Sequence, residues 1–277
     1  MKIILSRKGF DSEAGGYASP IMPNGELQSM PIPSLNSNTT YDSVTSRYKN
    51  MSLCDIMRQL YPAVKRDGER VRITKRMTCH LDPDLDKNAV PRDYGWRGGF
   101  GQINAAETVL ENEGVESGDL FLFFGWFKHC YEDEFGELYL EKGNGQHVLF
   151  GYLQIDRRIH TAKDKVPSYL INHPHAEYAV PGNNAIYLAR KKCTWNEQTP
   201  GYGLFKYDEE LVLTKKGMSR SRWDLPACFK NASISYHNKS SWKNGYFQSV
   251  CRGQEFVIQD NPEVADWAIN LIDKHRR

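Results

Sequence analysis

The 277-residue chain is 40% hydrophobic, 12% aromatic and 25% charged, close to soluble globular averages, which excludes collagen-like, low-complexity and wholly disordered readings. Its longest apolar run, Leu120–Phe127, is far too short to cross a bilayer, so the sequence predicts no membrane association. The net charge of +2 hides an asymmetry: bases outnumber acids 12 to 7 over residues 1–80 and 17 to 12 over 161–277, whereas acids lead 15 to 7 over 81–160. Basic flanks steer polyanions, although solvated protein faces give similar counts.

The opening Met1-Lys-Ile-Ile-Leu-Ser-Arg-Lys has only three apolar residues before charge returns, too few for a secretory segment, which predicts a cytoplasmic protein. Cys54, Cys79, Cys130, Cys193, Cys228 and Cys251 are scattered and form no Cys-x-x-Cys, so reduced and mostly buried thiols are expected rather than a zinc ribbon or a disulfide framework.

In chain order, Lys2–Ser6 reads as a short buried strand opening into a Gly- and Pro-rich stretch, residues 9–48, whose length marks it as either functional or disordered. Its Ser-Pro-Ile and Pro-Ile-Pro segments favour order and packing over a site. Apolar residues at 53, 56, 57 and 60 predict an amphipathic helix over 51–60, stopped by Pro62. Val71–Thr78 alternates like a strand and leads into the polar turn Cys79-His-Leu-Asp-Pro-Asp-Leu-Asp86. Helical spacing returns over 103–113, with Gly114 as C-cap. Leu120–Phe127 and His147–Ile155 read as strands of a long hairpin spanning the acidic stretch 132–146. Further strands are expected at 185–190, 203–207, 210–214, 247–251 and 255–258, and Asn261-Pro-Glu263 starts a last helix running to about His275. No repeat, linker or βαβ rhythm is visible. The expected fold is therefore one α+β domain over 1–277, a mainly antiparallel sheet or partly open barrel with flanking helices.

Four constellations can carry chemistry. Arg7, Lys8, Asp11 and Ser12 with Gly15-Gly16 follow the first strand and suit a phosphate or sugar clamp, or else make a glycine-rich surface turn. His80, Asp82, Asp84 and Asp86 set an imidazole beside three carboxylates, a set that binds a divalent cation or does acid/base work, or simply caps a turn. His173-Pro-His175 adds two imidazoles, which with His80 and Asp82 would suit zinc or iron if the fold brings them together. The C-terminal third interleaves bases and aromatics, among them Trp195, Lys215, Lys216, Arg220, Arg222, Trp223 and Trp242, a mixture suited to phosphates and stacked bases and equally to core aromatics beside exposed lysines.

Taken together, the opening strand with Arg7-Lys-Gly-Phe-Asp11, Ser19-Pro-Ile, the His80-Leu-Asp-Pro-Asp-Leu turn, Phe100-Gly-Gln102, Gly118-Asp through Phe127, His147 through Gln154, His173-Pro-His175 and Gly253-Gln-Glu-Phe-Val257 resemble the nucleotide modification associated domain 3 family along nearly the whole chain. The resemblance implies a role on modified nucleotides or modified DNA bases in a phage or bacterial DNA modification system, with DNA or a nucleotide as partner. A second, fold-level likeness rests on Trp96-Arg-Gly-Gly-Phe-Gly-Gln102, a helix, Gly118-Asp and Phe150-Gly-Tyr152, which look like the layout of PUA-like barrels that read a flipped base. This chain is much longer than those barrels, and its motifs at 80–84 and 173–175 lie outside their pattern.

Two readings follow. An enzyme would use His80, Asp82, Asp84 and Asp11 for catalysis, with Arg7, Lys8, His173 and His175 binding substrate. A non-enzymatic reader would shape an aromatic pocket from Trp96, Arg97, Gln102, Trp126 and Tyr152. The first requires residues 7–11, 80–84 and 173–175 to converge on one cleft; the second requires an aromatic cage with few titratable groups. The sequence names no cofactor and no protein partner.

Overall fold

The computed structural model describes residues 1–177, 182–250 and 253–276. Its strands are β1 (Ile3–Arg7), β2 (Ser19–Ile21), β3 (Ile32–Pro33), β4 (Val64–Arg66), β5 (Glu69–Val71), β6 (Cys79–His80), β7 (Gly99–Ile103), β8 (Leu120–Glu132), β9 (Leu138–Leu140) and β10 (Gln146–His160). They continue with β11 (Asn184–Ala189), β12 (Tyr202–Leu204), β13 (Arg222–Trp223), β14 (Trp242–Lys243), β15 (Tyr246–Gln248) and β16 (Glu255–Ile258). The helices are α1 (Leu53–Leu60), α2 (Asn104–Asn112), α3 (Pro174–Glu177) and α4 (Pro262–His275). Among the described residues no helix is long and apolar enough to cross a membrane.

The fold is α+β. Its main sheet runs β16-β1-β8-β10-β11-β7, with β2, β9 and β12 joined at the sides. Two pairings, β1 with β8 and β2 with β8, are parallel, and the rest of this sheet is antiparallel. No backbone ladder joins β7 to β16, so the sheet is not a closed barrel. The two edges nevertheless meet through side chains, Gln102 Nε2 donating to Glu255 Oε1 at 2.7 Å.

Leu120 to Phe124 reads as an unbroken apolar run because β8 is buried on both faces, as a central strand must be. Phe121 and Phe123 pack with Phe100 and Tyr187, ring centroids 4.9 to 6.0 Å apart. Phe124 meets Trp223 edge-on at 5.1 Å. Helix α4 is capped by Asn261, whose Oδ1 accepts Val264 N–H at 3.1 Å, and buries Val264, Ala268, Leu271 and Ile272, one stripe at helical spacing.

Residues 9–48 are ordered, although little of them is regular. Phe10, Met22, Met30, Tyr41, Val44 and Tyr48 bury themselves with α1 in a second core that reaches Cys130 and Leu138 of β8 and β9. Short apolar anchors spaced along a Pro-rich chain achieve this without periodicity, which is why the pattern is silent about it. Within the segment, β3 pairs with β6, Ile32 opposite His80.

Several expected elements differ. Residues 72–78 are not a strand: β5 ends at Val71, and a turn closed by Met77 N–H to Thr74 O at 3.0 Å sends Met77 into the second core. Glu209–Leu211 is a 3-10 turn rather than a strand, because Asp208 Oδ1 accepts Glu210 N–H at 2.9 Å and caps it. The strand expected over 247–251 is β15, and Cys251 lies outside the described residues. Helix α2 carries an unforeseen buried acid, Glu107, which accepts from Tyr187 Oη at 3.1 Å and pairs with Arg158 Nε at 2.8 Å. Its C-cap is Glu113 rather than Gly114, and Gly114, one residue on, takes φ +67 to turn the chain away.

Candidate functional site

Strand β7 explains how two imidazoles reach the sheet. A side chain at position 101 would put its Cβ 2.1 Å from Cδ2 of His175, and one at 99 would lie 3.4 Å from Cδ2 of His173. Glycines at these alternate positions leave the strand bare on one side, and the rings of α3 and the residue before it fill that space. The same strand fixes the carboxylate: Gly101 N–H donates to Asp82 Oδ1 at 2.7 Å, while Asp84 pairs its backbone with Gly99.

Four titratable side chains thereby meet. His80 Nε2 lies 3.1 Å from His175 Nε2, and Asp82 approaches both other rings, Oδ1 at 3.3 Å from His173 Nε2 and Oδ2 at 3.9 Å from His175 Nε2. The tautomer of His175 follows from its neighbour. Asn184 Nδ2 donates to the His175 carbonyl at 2.9 Å, so its Oδ1 faces the ring, 2.8 Å from Nδ1. Nδ1 therefore carries the proton and Nε2 the lone pair.

Burial penalises imidazolium and lowers His80 to about 4; it lowers His175 as well, against the pull of the Asp82 charge. Burial alone would raise Asp82, but the close approach of His173 Nε2 at 3.3 Å and the fields of the three imidazoles hold it down at about 2. Near neutral pH the centre holds an ionised Asp82 beside the neutral rings of His80 and His175.

His80, Asp82 and His175 line a cavity of about 690 Å³ together with Arg7, Lys8, Asp11, Gln102, Asn104 and Gln254. Residues 32–36 of the Pro-rich segment complete its wall. Three stretches far apart in sequence, 7–11, 80–82 and 173–175, thus gather at one place. Lys8 Nζ is already engaged there, 2.7 Å from Glu255 Oε1 and 4.6 Å above the Phe100 ring. Arg7 Nη2 donates to Gly253 O at 3.0 Å. Asp11 Oδ1 accepts from Glu13 and Ala14 N–H at 2.7 and 2.8 Å, so one of its oxygens shapes the turn.

Asp84 stands apart from this centre. It is buried and accepts from Arg92 Nη1 at 2.6 Å, and it opens to a neighbouring cavity of about 380 Å³ that also takes His173 and Trp96. Burial raises its pKa despite Arg92, whose guanidinium stacks 4.1 Å above Trp96. Asp86 is held by Arg47 at 2.6 Å.

The residues considered for an aromatic cage are dispersed. Trp96 packs edge-on against Tyr202 at 5.7 Å, and Arg97 pairs with Asp156 at 2.9 Å. Trp126 lies under Arg220 at 4.0 Å and donates to Asn144 O. Tyr152 is buried against Phe205 with its hydroxyl on Pro200 O. The cavity that contains Gln102 contains none of these four. In the C-terminal third, Trp223 is core, whereas Arg222 sits 5.2 Å over Tyr246.

The sequence reading quoted Gly101, Gln254 and Glu255 within its motifs without giving them a role at the site, and it missed Asn184. The glycines of β7 carried a signal, since glycine inside a strand marks close approach of another group. A single Asn in an apolar strand carries none.

Two sets of side chains among the described residues offer ligand atoms close enough to share an ion: His80, Asp82 and His175, and the exposed Asp208, Glu210 and His275.

An α+β fold thus places a buried carboxylate–imidazole centre beside a cavity of about 690 Å³. The chain belongs to the nucleotide modification associated domain 3 family, whose model matches residues 2–259. Neither a curated protein nor a solved structure matches it. Membership associates the protein with nucleotide modification.

Proposed function

We propose that the protein is a cytoplasmic enzyme of a phage or bacterial DNA modification system, acting on a nucleotide or on a DNA base turned out of its strand. Residues 1–277 act as one domain. The observation that carries this reading is the convergence of Arg7, Lys8, Asp11, His80, Asp82 and His175 on one cavity of about 690 Å³, inside the range of about 300–1,000 Å³ typical of small-molecule sites. An extruded base reaches such a cavity without its duplex, because flipping brings the reacting ring out of the stack.

Arg7 supplies charge for a phosphate, and Gln102, Asn104 and Gln254 offer amides to the edge of a base. Lys8 contributes its field, since its ammonium is held by Glu255. His80, Asp82 and His175 face the reacting atom. The neutral Nε2 of His175 accepts a proton or donates a lone pair, and ionised Asp82 stabilises positive charge developing on either ring.

The test is equilibrium binding of deoxynucleoside mono- and triphosphates, single-stranded DNA and duplex DNA at low salt, followed by product analysis. Arg7→Ala weakens binding of the phosphorylated ligand, while Asp82→Asn retains binding and abolishes product. Absence of binding to every one of these ligands overturns the reading. Binding that survives Asp82→Asn and His80→Gln, with no product from any ligand in the wild type, moves the assignment to a base reader.

A further inference from the structure

We propose that His80 Nε2, His175 Nε2 and a carboxylate oxygen of Asp82 bind a divalent first-row transition metal ion. This deepens the reading of the same site given above.

The spacing of the ligand atoms is the first ground. With metal–nitrogen bonds of about 2.1 Å, two imidazole nitrogens on one ion stand about 3.0 Å apart at a right angle and about 3.4 Å apart in a tetrahedron. His80 Nε2 and His175 Nε2 are 3.1 Å apart. Without an ion, His80 Nε2–H donates to the Nε2 lone pair of His175; an ion takes that lone pair, and His80 ligates through Nε2 with its ring proton moved to Nδ1. Asp82 Oδ1 is occupied by Gly101 N–H, which leaves Oδ2, 3.9 Å from His175 Nε2, as the ligating oxygen. Closing that gap to a shared-ion spacing requires a movement of about half an ångström, within the reach of a carboxylate rotation.

The surroundings are the second, independent ground. A ligating histidine ordinarily donates its other ring N–H to a fixed acceptor, and His175 Nδ1 does so to Asn184 Oδ1 at 2.8 Å. His173 is 3% exposed, and its Nε2 is buried without a well-formed hydrogen bond, 3.3 Å from Asp82 Oδ1. Such a buried donor aimed at the carboxylate orients it once its position is fixed, as outer-shell groups do.

The ligand types set the class of ion. Two imidazoles and one carboxylate suit first-row divalent ions, whereas calcium and magnesium take oxygen. Three protein ligands leave positions open, as at catalytic rather than structural centres, and all three residues line the large cavity. The other set, Asp208, Glu210 and His275, is exposed, and Glu210 is already tied to Lys274 and His275.

The full chain, purified in chelator and desalted, is titrated with Co(II) in the absence of nucleotide, following visible absorption and heat. One equivalent binds with ligand-field bands. Asp82→Asn, His80→Gln and His175→Gln each weaken binding well over tenfold, His173→Gln weakens it by about tenfold or more, and Glu210→Gln leaves it unchanged. Circular dichroism establishes that each variant is folded, and three separate ligand variants keep the test open if one fails to fold. No bands at millimolar Co(II), or stoichiometric binding indifferent to the three ligand substitutions, overturns the inference. Because the ion is titrated without nucleotide and nucleotide binding is measured in chelator, the two proposals fail separately.

Discussion

The His175 ring occupies the volume that a side chain on residue 101 would need, with Cδ2 and Cγ at 2.1 and 2.2 Å from the position of such a Cβ. Neither side can yield cheaply, since the ring is tied to Asn184 and the backbone belongs to a paired strand. Gly101→Ala should therefore expel the imidazole from the centre and cost about 1–3 kcal/mol, the usual range for overpacking. Gly99→Ala, whose nearest contact is 3.4 Å, should be close to wild type. Thermal unfolding and Co(II) binding of the two variants check this; equal behaviour would show that the glycines do not make room for the rings.

Asp82 and Asp84 are two residues apart and should behave oppositely. Asp84→Asn breaks a buried pair and strands Arg92, a loss of about 3–5 kcal/mol, yet folded molecules should still bind nucleotide and ion. Asp82→Asn keeps an oxygen for Gly101 N–H and should cost about 2 kcal/mol, the stability its lowered pKa represents, while abolishing ion binding. Urea unfolding alongside binding per folded molecule separates the two cases, and a reversed pattern would exchange their roles.

Acid should destabilise the fold early. Burial keeps His80 at about 4, lowers His147 still further to about 3, and lowers His175. Unfolded chains take up a proton on each ring as pH falls through about 6.5, while the folded protein does not, so unfolding gains ground from there down to about pH 4. Glu107 opposes this, because burial raises it to about 7; between its unfolded value and 7 it holds a proton that the unfolded chain has lost. His80 and His147 against Glu107 leave a balance of about one proton, roughly 1.4 kcal/mol per pH unit between about pH 6 and 5, and His175 adds to it in the same direction. Asp82, held at about 2, adds its own loss only below its unfolded value of 3.8. Urea titrations in chelator should give that slope, and Glu107→Gln should steepen it by one proton. A flat profile would mean that the rings are not buried neutral.

What the sequence revealed depended on periodicity. Helices α1, α2 and α4 and strands β8, β10 and β16 were legible because burial on one stripe or on both faces leaves a regular trace. Residues 72–78 alternate by chance, and their backbone follows Met77 into the second core instead. At the site, His80, Asp82, His173 and His175 stood out by residue type, but Asp84 looked equally chemical, and only its pairing with Arg92 distinguishes it. The burial of Glu107 left no trace in the sequence, because helical spacing says nothing about a tyrosine hydroxyl waiting on β11.

The Pro-rich segment should act on the site through β3. Tyr41 Oη donates to Pro31 O at 2.5 Å, Met30 N–H donates to Ser19 Oγ at 3.0 Å, and both side chains are fully buried. These anchors hold Ile32 and Pro33 against His80 and Cys79. Tyr41→Phe leaves the Pro31 carbonyl buried without a donor, at about 1–3 kcal/mol, and Met30→Ala opens a void worth about 2–5 kcal/mol. If that strain is released locally, β3 detaches before the main sheet unfolds. Limited proteolysis should then cut first between residues 31 and 41, with the sheet core intact, and nucleotide and Co(II) binding should weaken together because His80 loses its strand partner. Cleavage elsewhere, or binding that stays at the wild-type level while this segment is clipped, would show that His80 is held without it.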